Sequence, residues 1–197
     1  MPSKPIQNLL LVVTGSSASS TAPYMITQLR ARMADEVHVL MSHSATRFIS
    51  PRSLAIYSGH PVQTNLWVDP PGQQYRPVHM EVARWADLVL VMPATAHTLA
   101  RAAHGLCDDL ISTVLVATNA PIIFAPSMNE DMWTSRAVQR NVRILEEELG
   151  HLVLGPAIGP SWSDDIPRLG ALPTYEVVEN FILEHLSVEE ESDSDDD

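Results

Sequence analysis

Apolar residues in this chain come in short runs separated by helical patterns. Residues 8–13 (NLLLVV) are apolar without a break, as a strand covered by helices on both faces should be. The run ends in Thr14-Gly15-Ser16-Ser17, and a helical pattern (YMITQLRARM) follows Pro23. Further strands are predicted at 36–41 (EVHVLM), 87–92 (DLVLVM), 121–125 (PIIFA) and 151–154. Helices are predicted at 80–86, 96–104, 108–118, 131–149 and 175–188. Alternating strands and helices predict an α/β fold, an open parallel sheet with right-handed crossovers and helices on both faces. No repeat or linker divides residues 1–188, which are read as a single domain.

In an open parallel sheet, ligands sit beyond the carboxyl ends of the strands. Those ends carry TGSS, SHS, PATAHT and PSMN, segments of small, hydroxyl-bearing or amide-bearing residues almost without charge. Such segments suit N–H and hydroxyl groups gathered around a phosphate at helix N-termini, or backbone lying close to a flat ring. The same serines and threonines also serve as turn residues and helix caps. The first loop is not G-x-G-x-x-G, and no P-loop lysine is present, which argues against a dinucleotide fingerprint and against a nucleoside triphosphatase. The residues alone point to a mononucleotide-type cofactor on a Rossmann-like sheet.

Charge narrows the partners. The chain of 197 residues is 45% hydrophobic and 18% charged, with a formal net charge of −12 that disfavours nucleic acid or an anionic membrane as a partner. More than half of that excess lies in residues 189–197 (EEESDSDDD), read as an acidic disordered tail that solubilises the protein or docks a partner. The single cysteine, Cys107, excludes an internal disulfide or an all-cysteine metal site; it is read as a small buried packing residue, and no metal is expected. The first apolar run is too short to span a membrane and lacks the organisation of a signal peptide, so a cytoplasmic location is expected.

Two segments are more specific. Residues 126–133 (PSMNEDMW) and 93–98 (PATAHT) resemble the P-x-M-N-x-x-M-W and P-A-S-A-N-T motifs of the homo-oligomeric flavin-containing cysteine decarboxylases. TGSSAS resembles that family's first flavin loop, GLCDDLIST the segment after its second motif, and His79 stands 14 residues before Pro93, where the family carries its active-site histidine. The resemblance covers about residues 7–155 and implies a flavodoxin-like Rossmann fold. It also implies FMN, or FAD, as cofactor and a trimer or dodecamer of trimers with the flavin at a subunit interface. The family includes phosphopantothenoylcysteine decarboxylases of coenzyme A synthesis and the peptidyl-cysteine decarboxylases of lantibiotic and related ribosomal peptide biosynthesis. Flavin prenyltransferases share the fold more distantly, and some proteins of this fold are regulatory phosphatase-inhibitor relatives with acidic tails.

Carried over by position, Gly15, Ser16, Ser17, Ser42 and Ser44 would bind the flavin. So would Pro93, Ala94, Thr95, Ala96, His97 and Thr98 of the second motif, with Ser127 close by. The catalytic pair would be His79, deprotonating or orienting the substrate, and Asn129, holding its carboxylate. Met128, Met132 and Trp162 would contact the substrate, with 155–173 either a substrate clamp or an ordinary connection.

Two departures from the family pattern stand out. His97 replaces the motif asparagine, and 155–173 lacks the cysteine with which phosphopantothenoylcysteine decarboxylases complete reduction of their intermediate. Oxidation of CH2–S to a thioaldehyde places C=S β to the carboxylate, so CO2 leaves to give an enethiolate. Without the reducing cysteine the product is expected to stop there, with the reduced flavin reoxidised externally. The preferred expectation is therefore oxidative decarboxylation of the C-terminal cysteine of a precursor peptide, leading to aminovinyl-cysteine, in company with other peptide-modifying enzymes. Phosphopantothenoylcysteine decarboxylase is the alternative.

Overall fold

The computed structural model describes residues 4–66, 78–160 and 166–192; Trp162 and residues 193–197 lie outside them. The first crossover runs from β1 (Ile6–Val13) through a 3-10 turn (Ser17–Thr21) and α1 (Ala22–Arg32) to β2 (Ala34–Met41). Helices α2 (Pro51–Ser58) and α3 (Val78–Trp85) precede β3 (Leu88–Ala94). Two more, α4 (Ala96–Ala103) and α5 (Leu110–Ala117), lead to β4 (Ile122–Pro126). Then come α6 (Glu130–Trp133), α7 (Arg136–Arg143), β5 (Leu152–Val153), β6 (Ala157–Pro160), β7 (Pro167–Ala171) and α8 (Tyr175–Ser192).

Strands β1 to β5 form a parallel sheet in the order β2-β1-β3-β4-β5, the flavodoxin-like order. Side chains alternate across a strand, and here both faces are apolar. In β1, Leu9, Leu11 and Val13 pack with Met25, Ile26 and Leu29 of α1 and Val178 and Ile182 of α8. Leu10 and Val12 face the other way, into a core with Leu99 of α4, Val114 of α5 and Val142 of α7. The uninterrupted apolar runs of the sequence are these two-sided strands.

The structure departs from the sequence reading in several places. Helix α2 was not foreseen; its signal is Ser50, whose Oγ accepts from the Arg52 N–H (3.2 Å), followed by Pro51 at the first turn and Gly59 in the left-handed region at the end. The stretch 131–149 is not one helix: Ser135 caps a new one, its Oγ accepting from the Val138 N–H at 3.3 Å, and a π turn closes it at Ile144–Glu148. Within 155–173, β6 and β7 pair antiparallel as a small separate sheet. Helix α8 runs through Ser192, four residues into the segment read as tail. Cys107 is exposed, because its loop lies outside the packed face of α4 and α5, so the buried reading is corrected.

Candidate active site

The strand order reverses between β1 and β3, so the loops after these strands part and leave a crevice. Thr14, 1% exposed, pins the two strand ends together. Its Oγ1 donates to the Pro93 carbonyl (2.7 Å) and accepts from the Thr95 N–H (3.0 Å). The Ser127 N–H in turn donates to the Ala94 carbonyl at 3.0 Å. Pro93 and Ala94 therefore support the site from behind: both are buried in β3 and line neither cleft described below.

Hydroxyl groups organise the mouths of the loops. Ser16 accepts from the Ala18 N–H (3.3 Å) and Thr95 from the Thr98 N–H (3.3 Å), each capping a helical turn, and Ser42 accepts from the Ala45 N–H (3.2 Å) across the loop after β2. A cleft of about 580 Å³ opens among them. Gly15, Ser16, Ser42 and Ser44 form one side, and Thr95, Ala96, His97 and Thr98 the other. Ser127, Met128 and Met132 complete it from the β4 end. Nine of the twelve residues assigned to the cofactor thus meet in one place. Gly15 must lack a side chain, since a Cβ there would stand 2.4 Å from the Cβ of Ser44.

Residues the sequence did not single out also line this cleft: His43, Arg101, Asp109, Ile111, Ser112 and Leu115. The Arg101 guanidinium, its side chain 12% exposed, bonds Asp109 (2.5 Å), Asp108 and Ser112 Oγ (3.0 Å). Burial by itself would raise the Asp109 carboxyl, but donation from the Ser112 N–H and hydroxyl and the adjacent Arg101 charge outweigh it, and Asp109 is held below the usual range. The legible signal was spacing: Arg101 lies four residues after His97, on the same face of α4.

A second cleft of about 570 Å³ adjoins the first. Ser16, Ser127 and Met128 belong to both. Ser17, assigned to the cofactor, lies in this second cleft instead, with Asn129 and residues of β7. Asn129 caps α6, its Oδ1 accepting from the Asp131 N–H (2.8 Å), which directs the amide NH2 elsewhere. The β6–β7 hairpin is latched over it: the Met128 N–H donates to the Gly170 carbonyl (3.0 Å), and Arg168 pairs with Glu130 (3.3 Å). His79 is in the first turn of α3 and lines neither cleft, so one chain does not bring the two assigned catalytic residues together.

The first cleft fits a flavin mononucleotide in kind. Its size is ordinary for a cofactor site, its rim is hydroxyls and helix N-termini, and its glycine admits close approach of a ring or phosphate. Among the described residues no group of three or more metal-ligating side chains occurs, and no helix is long and apolar enough to cross a membrane.

Comparison with known proteins agrees with this arrangement. The bifunctional coenzyme A biosynthesis protein CoaBC of Escherichia coli K12 is 40% identical over 160 residues, 81% of this chain; the chain spans only 38% of that protein's length. The solved FMN-dependent cysteine decarboxylase SpaF superposes with a TM-score of 0.74 at 29% identity, over 92% of this chain and 97% of SpaF. Peptidyl-cysteine decarboxylase EpiD superposes with a TM-score of 0.76 at 27% identity, over 90% of this chain and 99% of EpiD. The Flavoprotein family model matches residues 2–187. With that match spanning nearly the whole chain and the cleft built where the fold places a flavin, the chain belongs to the Flavoprotein family.

Proposed function

We propose that this chain is an FMN-dependent decarboxylase acting on a C-terminal cysteine of a peptide and releasing an enethiol. The observation that carries the reading is that Pro160 and residues 168–172 line the second cleft beside Asn129, while the sequence 155–173 contains no cysteine. A decarboxylase without a reducing thiol there stops at the enethiol. The likeness to SpaF and EpiD, both cysteine decarboxylases, supports the reaction class.

When bound in the first cleft, the flavin supplies two-electron oxidation of the cysteine CH2–S group. Gly15, Ser16, Ser42 and Thr95 would hold it through N–H and hydroxyl donors. Asn129, its Oδ1 committed to the helix cap, offers the NH2 end to the substrate carboxylate. The hairpin covers this carboxylate and limits water. His79 serves as proton acceptor for the substrate, delivered from a neighbouring chain of a homo-oligomer, since it lies apart from the clefts of its own.

The test is anaerobic. A cysteine-terminated peptide should bleach the flavin absorbance of the FMN-loaded protein, and the same peptide ending in serine should not. His79→Asn should keep FMN but lose bleaching. Bleaching by neither peptide, with FMN bound, would sink the proposal. The second reading, phosphopantothenoylcysteine decarboxylation, draws on the 40% identity to CoaBC, and phosphopantothenoylcysteine as sole active substrate would establish it.

A further inference from the structure

His97 stands where the motif has an asparagine and is among the residues lining the first cleft. Its Nε2 lies 3.4 Å from Arg101 Nη1. A guanidinium only donates, so this contact calls for Nε2 to accept and favours the tautomer that carries its proton on Nδ1.

Arg101 is itself held firmly. Nη1 serves Asp109 Oδ2 (2.5 Å) and His97, while Nη2 serves Asp108 and Ser112 Oγ (3.0 Å), which uses all four terminal N–H groups. Asp109 is fixed in turn as the cap of α5, its Oδ1 accepting from the Ser112 N–H (2.8 Å) while the Asp109 N–H donates to Ser112 Oγ (3.3 Å). The guanidinium cannot swing away from the ring without giving up its contacts with Asp108, Asp109 and Ser112. An arginine so anchored, four residues along the same helix face, dictates the state of an otherwise ambiguous imidazole.

We infer that Arg101 is a positioning residue that locks His97 as its Nδ1–H tautomer, so that the ring presents a single N–H donor to the flavin cleft in place of the asparagine amide. The inference rests on the flavin reading of that cleft, but the tautomer lock is a property of the protein alone. It explains why a bulkier residue is compatible with this position: the ring keeps one N–H donor, and its second nitrogen is occupied by the arginine.

The first test needs no flavin. Nitrogen-15 spectra of the histidine side chains in the flavin-free protein, with the His97 signals assigned by their loss in His97→Asn, should show Nδ1 protonated and Nε2 bare. Arg101→Met should convert His97 toward the Nε2–H form. An Nε2–H ring in the unaltered protein overturns the inference, and this holds even if Arg101→Met fails to fold. The second test reads the donor. His97→Asn should leave the FMN dissociation constant within about threefold, whereas His97→Leu should raise it about tenfold and shift the flavin midpoint potential. Equal affinity and potential in all three proteins would also overturn it. Absence of FMN binding by the unaltered protein would instead refute the flavin reading, with the nitrogen spectra still deciding the lock.

Discussion

Ser16 Oγ and Ser127 Oγ lie 3.1 Å apart although 111 residues separate them in the chain. Both line both clefts, so the pair is the seam where a cofactor and a substrate would meet. Ser127→Ala should therefore weaken FMN binding and raise the substrate KM together, each by about three- to tenfold. Asn129→Ala, which touches only the second cleft, should impair turnover with FMN affinity unchanged. Fluorescence titration of FMN beside steady-state kinetics separates the two patterns.

Gly15→Ala forces the β1 loop against Ser44, whose Cβ would be 2.4 Å from the new methyl group. The loop must shift, and FMN affinity should fall by about tenfold or more. Gly155→Ala meets nothing within 4 Å and serves as the control, with affinity unchanged.

Gly170 has φ +136°, and a Cβ on it would stand 2.0 Å from the Met128 carbonyl oxygen. Gly170→Ala should unlatch the hairpin from the PSMN segment, at a cost of about 1–3 kcal/mol in stability. Substrate KM should rise sharply while FMN remains bound, as thermal denaturation and kinetics on the same preparation would show.

The sequence made legible what depends on strand ends. Gly15, Ser42, Thr95 and Ser127 could be placed at one edge because unbroken apolar runs mark parallel strands, and ligand loops follow their carboxyl ends. Arg101, Asp109 and Ser112 escaped notice because their partnership spans a helix end, a loop and the next cap. In sequence, an arginine at such a place reads as solvent-facing. The hairpin escaped because β6 and β7, rich in glycine and proline, lack the alternation that marks a half-buried strand. Cys107 was misplaced because composition ranks cysteine as buried without knowing which side of a loop it occupies.

Acid should weaken the fold in two windows. His38 is lowered from its ordinary 6.5 chiefly by burial, then by neighbouring His60, with Glu36 opposing; its ring stacks on Trp85 at 3.8 Å. Burial lowers His151 likewise. A histidine whose folded pKa is depressed contributes stability that is complete above the unfolded value and is lost as pH falls below 6.5 toward the folded one. Asp109, held below its ordinary 3.8, adds a second loss at still lower pH as it protonates. Melting temperature should be steady around neutrality and decline in two steps as pH falls, and His38→Phe should reduce the first step, leaving the part due to His151.

The measurement that bears most directly on the proposed chemistry is the mass of the product. Aerobic incubation of the FMN-loaded protein with a cysteine-terminated peptide should remove about 46 Da, carbon dioxide with two hydrogens, and leave an enethiol that a thiol reagent traps. A loss of about 44 Da, carbon dioxide alone, would mean that the chain completes a reduction for which 155–173 provides no cysteine, and would contradict the account.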